Sequence, residues 1–271
     1  MNTSRISAYV PAFNNALTIR AAIESIRDQT VPVDELFVVD DGSSDASGTI
    51  LQEMAVRVIP HRHNLGRGAV RASAMQEAAH DLVLSCDATN ALAPDFVERA
   101  LPWFNDAKVA AVFGRISQHP ARNAVERWRG RHLFKLDMSF TVQHQSVLIT
   151  YGTLLRKAAV EAVGGFDPLL RHSEDSDLGH RLAAADWDVV FDPSLPVISI
   201  APNSLAQVLE RYWRWYAGKD ERISWKGYFK QVVYSLKVMA PQDFQAGDPL
   251  GIPISLLSPH YQFWKSFWRR F

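Results

Sequence analysis

Strand-like and helix-like segments alternate through the first 115 residues, and this order constrains the fold more than any other feature. The run at 36–39 is apolar at every position, which is typical of a strand buried on both faces. The segment at 19–26 instead places its apolar residues on one helical face. Such alternation predicts right-handed βαβ units and a mainly parallel central sheet flanked by helices.

The remaining segments extend this order and become less regular after residue 115. Further strands are predicted at 6–10, 56–60, 81–86, 110–114, near 146–150, at 188–191 and at 197–200. Further helices are predicted at 45–54, 67–79, 94–104, 120–138, 157–163 and 174–185. An aromatic helix follows, whose apolar residues share one face: Leu205, Val208, Leu209, Tyr212, Trp213 and Tyr216.

Composition limits the classes of protein to which the chain can belong. Its 271 residues are 47% hydrophobic, which is enough for one large core or a core with a smaller appendage. The formal net charge is zero, so nothing in it indicates binding to nucleic acid. Residues 211–271 are nevertheless basic, with ten Lys/Arg against four Asp/Glu, which suits either an anionic partner or a solvated surface.

The single cysteine, Cys86, excludes an internal disulfide and fits a reducing compartment. The N-terminal residues enter a strand almost at once, so we expect no signal peptide. No apolar run approaches the roughly 20 residues that span a bilayer. We therefore expect a cytoplasmic protein that is soluble or bound at the periphery of the membrane.

Two common nucleotide-binding motifs are absent from the sequence. A dinucleotide-binding fold would show G-x-G-x-x-G after its first strand, where this chain has PAFNN at 11–15. The G-x-G in NLGRGAVRA, at 64–72, follows the third strand instead, and there is no Walker A motif. A nucleotide would therefore have to bind by another route.

Two predicted strands end directly in acidic residues. The sequence VVDDGSSD, at 38–45, places Asp40 and Asp41 at the end of one strand, and Asp87 ends another. For an isolated DDGS sequence, formation of a turn is one explanation of these residues. Ligands of open α/β sheets bind beyond the carboxyl ends of the strands, so ligand binding is the competing explanation.

Six motifs in this order resemble the family 2 glycosyltransferases, which have the GT-A fold, a Rossmann-like mixed central sheet flanked by helices. They cover roughly residues 5–192 and are YVPAFNN at 9–15, VVDDGSSD at 38–45, NLGRGAVRASAMQEA at 64–78, LSCDATN at 84–90, VGGFDP at 163–168 and EDSDLGHRL at 174–182. The resemblance implies a GT-A domain at 1–202, with a nucleotide half at about 1–115 and an acceptor half at about 116–202. Residues 203–271 then form a helical, aromatic-rich extension.

The resemblance implies a nucleotide site at the ends of the strands. The second aspartate of the turn, Asp41, would accept a hydrogen bond from the nucleobase, usually uracil, and a charged acceptor makes a stronger bond than a neutral one. Asp40 would assist it or bond only to the turn. The other residues implied to surround the nucleotide are Pro11, Phe13, Asn14, Asn64, Arg67, Arg71 and Asp87.

Asp87 occupies the place of the first acid in the D-x-D motif of this family. The second acid usually binds Mg²⁺ or Mn²⁺, but Thr89 stands there, and a hydroxyl is a poorer ligand for these ions than a carboxylate. Asn90 offers one neutral oxygen. Two interpretations stand: a weak metal site that depends on the donor and is anchored by Asp87, or neutralisation of the diphosphate by arginines.

The position of Asp175 matches that of the catalytic base in inverting members of the family. A carboxylate there would take the proton of the acceptor hydroxyl as its oxygen attacks the sugar. Glu174 would position Asp175 or the acceptor, and His172 lies close enough in the sequence to touch donor or acceptor. Charge that only stabilises a helix N-terminus is the competing interpretation.

Two segments of the extension have alternative interpretations. RYWRW at 211–215 fits the R-x-x-R-W pattern of processive members, with Arg211 and Arg214 facing a diphosphate, or it is a basic outer face of the aromatic helix. HYQFWKSFWRRF at 260–271 fits an interfacial helix on the inner membrane or a terminal helix docked on the core.

The resemblance implies an inverting glycosyltransferase of hexosyltransferase type. Its donor would be a nucleotide-diphospho-sugar, with UDP favoured, and its acceptor a carbohydrate or a lipid-linked molecule, as in polysaccharide or glycoconjugate biosynthesis. A non-catalytic relative that binds sugar nucleotides is the first alternative, because Thr89 departs from the pattern. A sugar-nucleotide pyrophosphorylase is the second, and it would need a glycine-rich loop where PAFNN stands.

Overall fold

The computed structural model describes residues 5–216 and 223–268. Its strands are β1 (Ile6–Ala12), β2 (Glu35–Asp40), β3 (Arg57–Pro60), β4 (Leu82–Cys86), β5 (Asn90–Leu92), β6 (Val109–Gln118), β7 (Gly152–Arg156) and β8 (Asp188–Ser199). Its α-helices are α1 (Ile19–Arg27), α2 (Ser47–Glu53), α3 (Arg67–Glu77), α4 (Phe96–Ala100), α5 (Ala124–Trp128), α6 (Lys157–Ala162), α7 (Glu174–Ala184), α8 (Leu205–Tyr216), α9 (Trp225–Tyr234), α10 (Ala240–Gln245) and α11 (Gly251–Trp268).

The described residues fall into two units. The first is drawn from residues 1–117 and 140–201, and the second from residues 118–139 and 202–271. Residues 118–139 lie in the acceptor half that the sequence predicts at about 116–202, and in the structure they group with the C-terminal helices.

An eight-stranded mixed sheet forms the centre of the first unit, in the order β3-β2-β1-β4-β7-β6-β8-β5. The pairs β3–β2, β2–β1 and β1–β4 are parallel, whereas β7 runs antiparallel to both β4 and β6. Helix α1 covers the sheet with the face that the sequence predicted, since Ile19 and Ile23 are fully buried. The predicted mixed sheet flanked by helices is confirmed.

The strand order decides where the polar loops meet. Strand β1 lies between β2 and β4, so the carboxyl ends of all three lie at one edge of the sheet. Strand β4 is buried at every position, as expected for a strand covered on both faces. Large apolar side chains such as Tyr9, Phe37 and Leu155 fill the core beside these strands and leave the edge to the loops.

Three predicted elements differ from the structure. The strand expected near 146–150 is wrong: residues 146–150 form no strand, and β7 begins at Gly152, where it pairs with β4. The two strands expected at 188–191 and 197–200 are the single strand β8. Proline lacks an amide donor, but the Pro196 carbonyl still accepts a hydrogen bond from Ala93 N at 3.2 Å within this strand.

The long helix expected at 120–138 is much shorter in the structure. Asn123 caps α5 by accepting from Glu126 N at 2.9 Å, and the helix continues as one π-turn over Arg129–Leu133. Lys135 then adopts a left-handed φ of 54°, which is incompatible with a continuing helix. Strand β5, three residues long, was not predicted because so short a strand has no periodic pattern.

Aromatic side chains form the core of the second unit. The predicted buried face of α8 is present, since Val208, Leu209 and Trp213 are buried. Trp128 of α5 is also fully buried, with its ring 5.3 Å from that of Tyr212. These large rings bury far more apolar area per residue than aliphatic side chains do, which allows a small helical unit to form a core.

None of the helices in the described part of the chain is long and apolar enough to cross a membrane.

Candidate active site

The loops after β1, β2 and β4 meet at one edge of the sheet and bring the predicted polar residues together. Asp41 follows β2, and Asp87 follows β4. The loop after β1 is tied to the loop after β2 by Asn14, whose side-chain oxygen accepts from Ser44 N at 2.9 Å. This edge is where open α/β sheets bind their ligands.

Arg71 of α3 is the buried centre of this edge, and its side chain is only 2% exposed. Its Nε donates to Glu174 Oε1 at 2.9 Å and its Nη2 to Asp87 Oδ1 at 2.9 Å. Its Nη1 donates to Ser85 Oγ at 2.9 Å and to Tyr9 Oη at 3.2 Å. We call these five residues the Arg71 cluster. They join β1, β4 and α3 to the first residue of α7.

The Arg71 cluster fixes the geometry of two carboxylates that are far apart in the sequence. One guanidinium compensates both Asp87 and Glu174, and charge-assisted hydrogen bonds of this kind are about twice as strong as neutral ones. Glu174 is 1% exposed, and its second oxygen, Oε2, has no hydrogen-bond partner among the described residues. Asp87 is partly accessible to solvent, with a side chain 21% exposed.

Asp175 stands next to this cluster, in the first turn of α7. Its Oδ1 accepts from Ser176 N at 2.8 Å, which leaves Oδ2 for other partners. Burial, and then the negative charge of Glu174, raise the pKa of Asp175 to about 6. A carboxyl group with such a pKa is still ionised at neutral pH and is a better base than an ordinary aspartate.

Two glycines allow the loop before α3 to approach the segment that leads to α7. Gly66 has a φ of 100°, and a Cβ there would lie 2.9 Å from Arg171 Cα. A Cβ on Gly68 would lie 2.1 Å from Asp167 O. Gly68 N instead donates to Leu170 O at 2.9 Å. The close approach of these two segments brings α3 beside α7, as the Arg71–Glu174 contact requires.

Asp41 is buried and holds the loop before α3. Its Oδ1 accepts from Leu65 N at 2.9 Å and its Oδ2 from Gly66 N at 2.9 Å. His61 Nδ1 also lies 2.8 Å from Oδ1. A carboxylate has about four acceptor positions, so these three contacts leave one position on Oδ2.

The segments that form this edge of the sheet match one known family model. The model described as "Glycosyl transferase family 2" matches residues 7–164, more than half of the chain. The chain belongs to glycosyltransferase family 2. The matched range contains the loops after β1, β2 and β4 and all of α3.

Curated relatives support this membership in the family 2 glycosyltransferases. A pre-mycofactocin glycosyltransferase of Mycobacterium tuberculosis is 28% identical over 201 residues, which are 69% of this chain and 41% of that protein. The hyaluronan synthase of Streptococcus pyogenes is 32% identical over 130 residues, which are 44% of this chain and 30% of that enzyme. The chain therefore spans less than half the length of these relatives.

Solved structures show the same fold. The mannosyltransferase PcManGT from Pyrobaculum calidifontis, in complex with GDP-Man and Mn²⁺, has a TM-score of 0.64 at 15% identity, covering 99% of this chain and 88% of that one. TarS from S. aureus, in complex with UDP, has a TM-score of 0.56 at 17% identity, covering 97% of this chain and 88% of that one. The expected GT-A fold of this family 2 glycosyltransferase is thereby confirmed.

The residues predicted to enclose the base lie together at the sheet edge. Pro11 is half-buried at the end of β1, and the ring of Phe13 is 44% exposed. Asp40 bonds the turn, since its Oδ1 accepts from Ser43 N at 3.2 Å and from Ser43 Oγ at 2.5 Å. Their contacts with a nucleotide stay predictions.

The predicted metal residues form only part of a coordination sphere. No group of three or more His, Cys, Asp or Glu residues in the described ranges could hold an ion. Asp87 has one oxygen bonded to Arg71, and Thr89 supplies no carboxylate. Asn90 Oδ1 is buried with no partner among the described residues. Side chains of the described residues alone therefore do not complete a divalent-metal site.

The predicted cations differ in how far they are exposed. Arg67, in the first turn of α3, is exposed, and its charge is among those that lower the pKa of Asp175 against the stronger effect of burial. Arg71 is instead buried within its cluster. Asn64 bonds Arg171 through its side-chain oxygen.

The remaining predicted residues occupy both units. His172 Nδ1 lies 3.1 Å from Ser173 Oγ, directly before α7. Ser173 itself has a left-handed φ of 61°, an unfavourable conformation for a residue with a side chain. Arg211 and Arg214 are half-buried on α8, in the second unit.

The sequence did not indicate the residues that hold the site residues in place through hydrogen bonds. His61 connects Asp41 to Ser73, whose Oγ lies 3.0 Å from His61 Nε2. Tyr9 and Ser85 complete the Arg71 cluster. A polar residue in an otherwise apolar strand, such as Ser85 in LVLSC, is the signal that could have identified it.

Proposed function

We propose that this chain transfers a sugar from a nucleotide-diphospho-sugar to an acceptor hydroxyl with inversion at the anomeric carbon, using Asp175 as the base. The observation that carries this proposal is the placement of Asp175. The Arg71 cluster joins the sheet edge to the first turn of α7, so a carboxylate stands beside the predicted donor site.

In the proposed step, the acceptor oxygen forms a bond to the anomeric carbon on the face opposite the leaving group. The bond between that carbon and the diphosphate oxygen breaks, and its electron pair leaves with the nucleoside diphosphate. The hydroxyl proton passes to Asp175 Oδ2, the oxygen that Ser176 N does not occupy. Glu174 holds Arg71 and, through its charge, favours proton uptake by Asp175.

The leaving diphosphate needs positive charge, and we propose that Arg67 supplies part of it. Arg67 is exposed near Asp175, whereas the Arg71 guanidinium already serves two carboxylates. We therefore assign Arg71 to positioning Asp87 and Glu174. Arg211 and Arg214 remain further candidates, because guanidinium groups match phosphate oxygens.

We propose UDP-sugars as the preferred donors and a carbohydrate or lipid-linked molecule as the acceptor. The named ligands of the structural neighbours are UDP and GDP-Man, which support a nucleotide-sugar donor. A thermal-shift panel of UDP, GDP and dTDP, followed by transfer assays with the sugars of the base that binds, tests this proposal. Ligands that bind the native state raise Tm by mass action. Nucleotide binding without transfer or donor hydrolysis would instead support the non-catalytic alternative.

We predict that Asp41→Ala weakens binding of the preferred nucleoside diphosphate by about 1.5–3 kcal/mol, the usual range for a hydrogen bond to a charged group. The lost contact would be the free acceptor position on Asp41 Oδ2. Isothermal titration calorimetry measures this affinity.

The control for this prediction is His61→Gln, because His61 Nδ1 lies 2.8 Å from the same carboxylate. That variant perturbs the support of Asp41 but keeps its oxygens, so nucleotide affinity should change far less. Equal losses in both variants would show that Asp41 acts only through the loop and does not contact the base.

For the metal, we predict weak binding of Mn²⁺ that depends on nucleotide. Asp87 would provide the one carboxylate and the diphosphate further oxygens, and a bound ion would neutralise charge on the leaving group. Thr89→Asp should tighten Mn²⁺ binding in the presence of nucleotide, and Asp87→Ala should abolish it. Titration of Mn²⁺ with and without nucleoside diphosphate measures both effects.

Two outcomes would contradict this metal prediction. Tight binding of Mn²⁺ by the wild type without any nucleotide would show a site made by the protein alone. Full turnover in a chelator would show that cationic side chains stabilise the leaving group without an ion. Asp95→Ala, which removes an exposed acid on another loop, serves as the matched control.

A further inference from the structure

Helix α9 and the π-turn that extends it, Ser235–Met239, expose a stripe of large apolar side chains. Trp225, Phe229, Val233 and Leu236 recur at intervals of four, four and three residues, which places them on one side of the helix. Trp225 is 62% exposed, Phe229 is 60% and Leu236 is 55%. We call these four residues the α9 stripe.

The opposite side of α9 is the side that packs on the protein. Ser235 and Met239 are buried, and Ser235 Oγ donates to Ser255 O at 2.6 Å. The Tyr228 ring lies 4.4 Å from that of Phe263 in α11. The helix is thus anchored mainly by its other residues, and Trp225 is the member of the α9 stripe that also contacts α11.

Three lysines run along the same helix beside the α9 stripe. Lys226, Lys230 and Lys237 are all exposed, and no hydrogen bond or ion pair from the described residues engages their ammonium groups. Between residues 223 and 242 the sequence contains no acid. Within the described part of the chain, the stripe is therefore flanked by positive charge that no acid of 223–242 compensates.

Helix α11 continues this apolar surface within the second unit. The Phe263 ring lies 4.6 Å from Trp225, which connects the two helices. Trp264 and Phe267 follow and are 50% and 56% exposed. A contiguous exposed patch of aromatic residues on this scale marks an interaction surface.

We propose that the α9 stripe and the adjoining residues of α11 dock on the surface of an anionic phospholipid bilayer, with α9 lying in the plane of the interface. Exposed Trp and Phe side chains would enter the boundary between headgroups and acyl chains, and the lysines would contact anionic headgroups. This inference does not depend on the proposed reaction.

Charge decides between a bilayer and a second copy of the chain. A two-fold dimer brings the same patch of both subunits to one interface, so six α9 lysines would lie in or beside it without an acid from 223–242 to compensate them. An anionic bilayer instead compensates all of them. The structure therefore favours lipid over self-association.

This surface overlaps only in part with the one that the sequence suggested at 260–271. Tyr261 Oη donates to Glu210 at 2.9 Å, and Lys265 Nζ lies 2.9 Å from the same carboxylate of α8. Those two residues of the expected interfacial face are therefore bound to the protein. Residues 269–271 lie outside the described part of the chain.

Vesicle co-sedimentation of the full chain tests the proposal, with phosphatidylcholine vesicles compared with vesicles that also contain phosphatidylglycerol. Wild type should bind only the anionic vesicles, and less as salt rises. Combined Lys226→Gln, Lys230→Gln and Lys237→Gln should weaken partitioning on the order of 100-fold, given about a fivefold effect per lysine. Trp225→Ser with Phe229→Ser should weaken it at least about tenfold.

Matched controls separate the stripe from general surface effects. Phe244→Ser removes an equally exposed aromatic residue of α10, and Lys108→Gln removes an exposed lysine of the first unit. Both should bind vesicles like wild type, and all variants should keep the wild-type Tm because every changed side chain is exposed. Loss of tryptophan quenching by brominated lipid in Trp225→Phe would support insertion of that ring.

Three results would overturn the proposal. Wild type that sediments with neither vesicle would exclude the lipid surface. Binding that is undiminished in both sets of α9 variants would place it elsewhere. A concentration-dependent dimer in analytical ultracentrifugation that the α9 variants abolish, without vesicle binding by wild type, would assign the stripe to a second copy.

Discussion

Replacement of Asp175 by asparagine is expected to lower turnover by about 10²–10⁴-fold while nucleotide affinity stays nearly unchanged. The amide has the same size and can still accept from Ser176 N, so the first turn of α7 should keep its geometry. It cannot take a proton from the acceptor hydroxyl. Single-turnover transfer rates, measured beside calorimetric nucleotide affinities, separate these two effects.

The matched control for this variant is Asp177→Asn, which lies in the same first turn. Asp177 forms an ion pair with Arg181 at 2.8 Å. Its replacement should leave turnover near the wild-type value. Comparable turnover in wild type and Asp175→Asn would remove Asp175 as the base and leave its charge with a structural role only.

The pH dependence of turnover provides an independent measure of the same group. Since burial, and then the charge of Glu174, raise the pKa of Asp175 to about 6, the rate should fall below that pH as the base becomes protonated. Glu174→Gln removes the second of these causes, so the acidic limb of its rate profile should move to lower pH.

The free energy of unfolding should depend on pH in the direction opposite to turnover. The pKa of Asp175 is higher in the folded state than in the unfolded chain, so ionisation disfavours folding. Its stabilising contribution is fully present below pH ~4 and is lost as pH rises through about 6. Asp175→Asn lacks this penalty and should be more stable than wild type by about 1–3 kcal/mol at neutral pH. Melting temperatures of the two proteins should converge near pH ~4.

Replacement of Arg71 by methionine should destabilise the protein by about 3–5 kcal/mol, the largest loss of stability that we predict for a single side chain. The change leaves the buried carboxylate of Glu174 and the partly exposed carboxylate of Asp87 without the cation that each contacts at 2.9 Å. Two carboxylates would then lose the charge that compensates them. Chemical denaturation followed by circular dichroism measures the free energy of unfolding.

Arg20→Met is the matched control, because Arg20 also pairs with a glutamate but its side chain is 48% exposed. Exposed pairs contribute about 0–1 kcal/mol, so this variant should remain close to wild type. Adding Glu174→Gln to Arg71→Met should recover part of the loss, because it removes one uncompensated charge. Equal stability of the two arginine variants would contradict a buried Arg71 cluster.

The family and the framework of the fold could be derived from the sequence because local patterns encode them. The apolar run at 36–39 and the one-sided helix at 19–26 reflect burial on two faces and on one, and each is visible within a few residues. The acids after β2 and β4 were assigned to one nucleotide site by the resemblance to the family 2 glycosyltransferases. Asp175 could be proposed as the base because the motif that contains it, EDSDLGHRL at 174–182, is one continuous segment.

Contacts between distant segments could be decided only by the tertiary structure. Arg71 was predicted to contact the donor, yet its partner Glu174 lies 103 positions further along the chain, and no local pattern reports that pair. Likewise, Asp41 holds the loop before α3 through amides that are 24 and 25 residues away.

Exposure is the other property that sequence pattern does not determine. The segment at 260–271 and helix α9 both combine aromatic residues with cations, and nothing in either sequence says which one packs inward. In the structure Glu210 binds Tyr261 and Lys265, whereas Trp225 and Phe229 remain exposed. The physical reason is that an apolar stripe looks the same in sequence whether its partner is the rest of the protein or another surface. Only the packing of the other helices decides which stripe is covered.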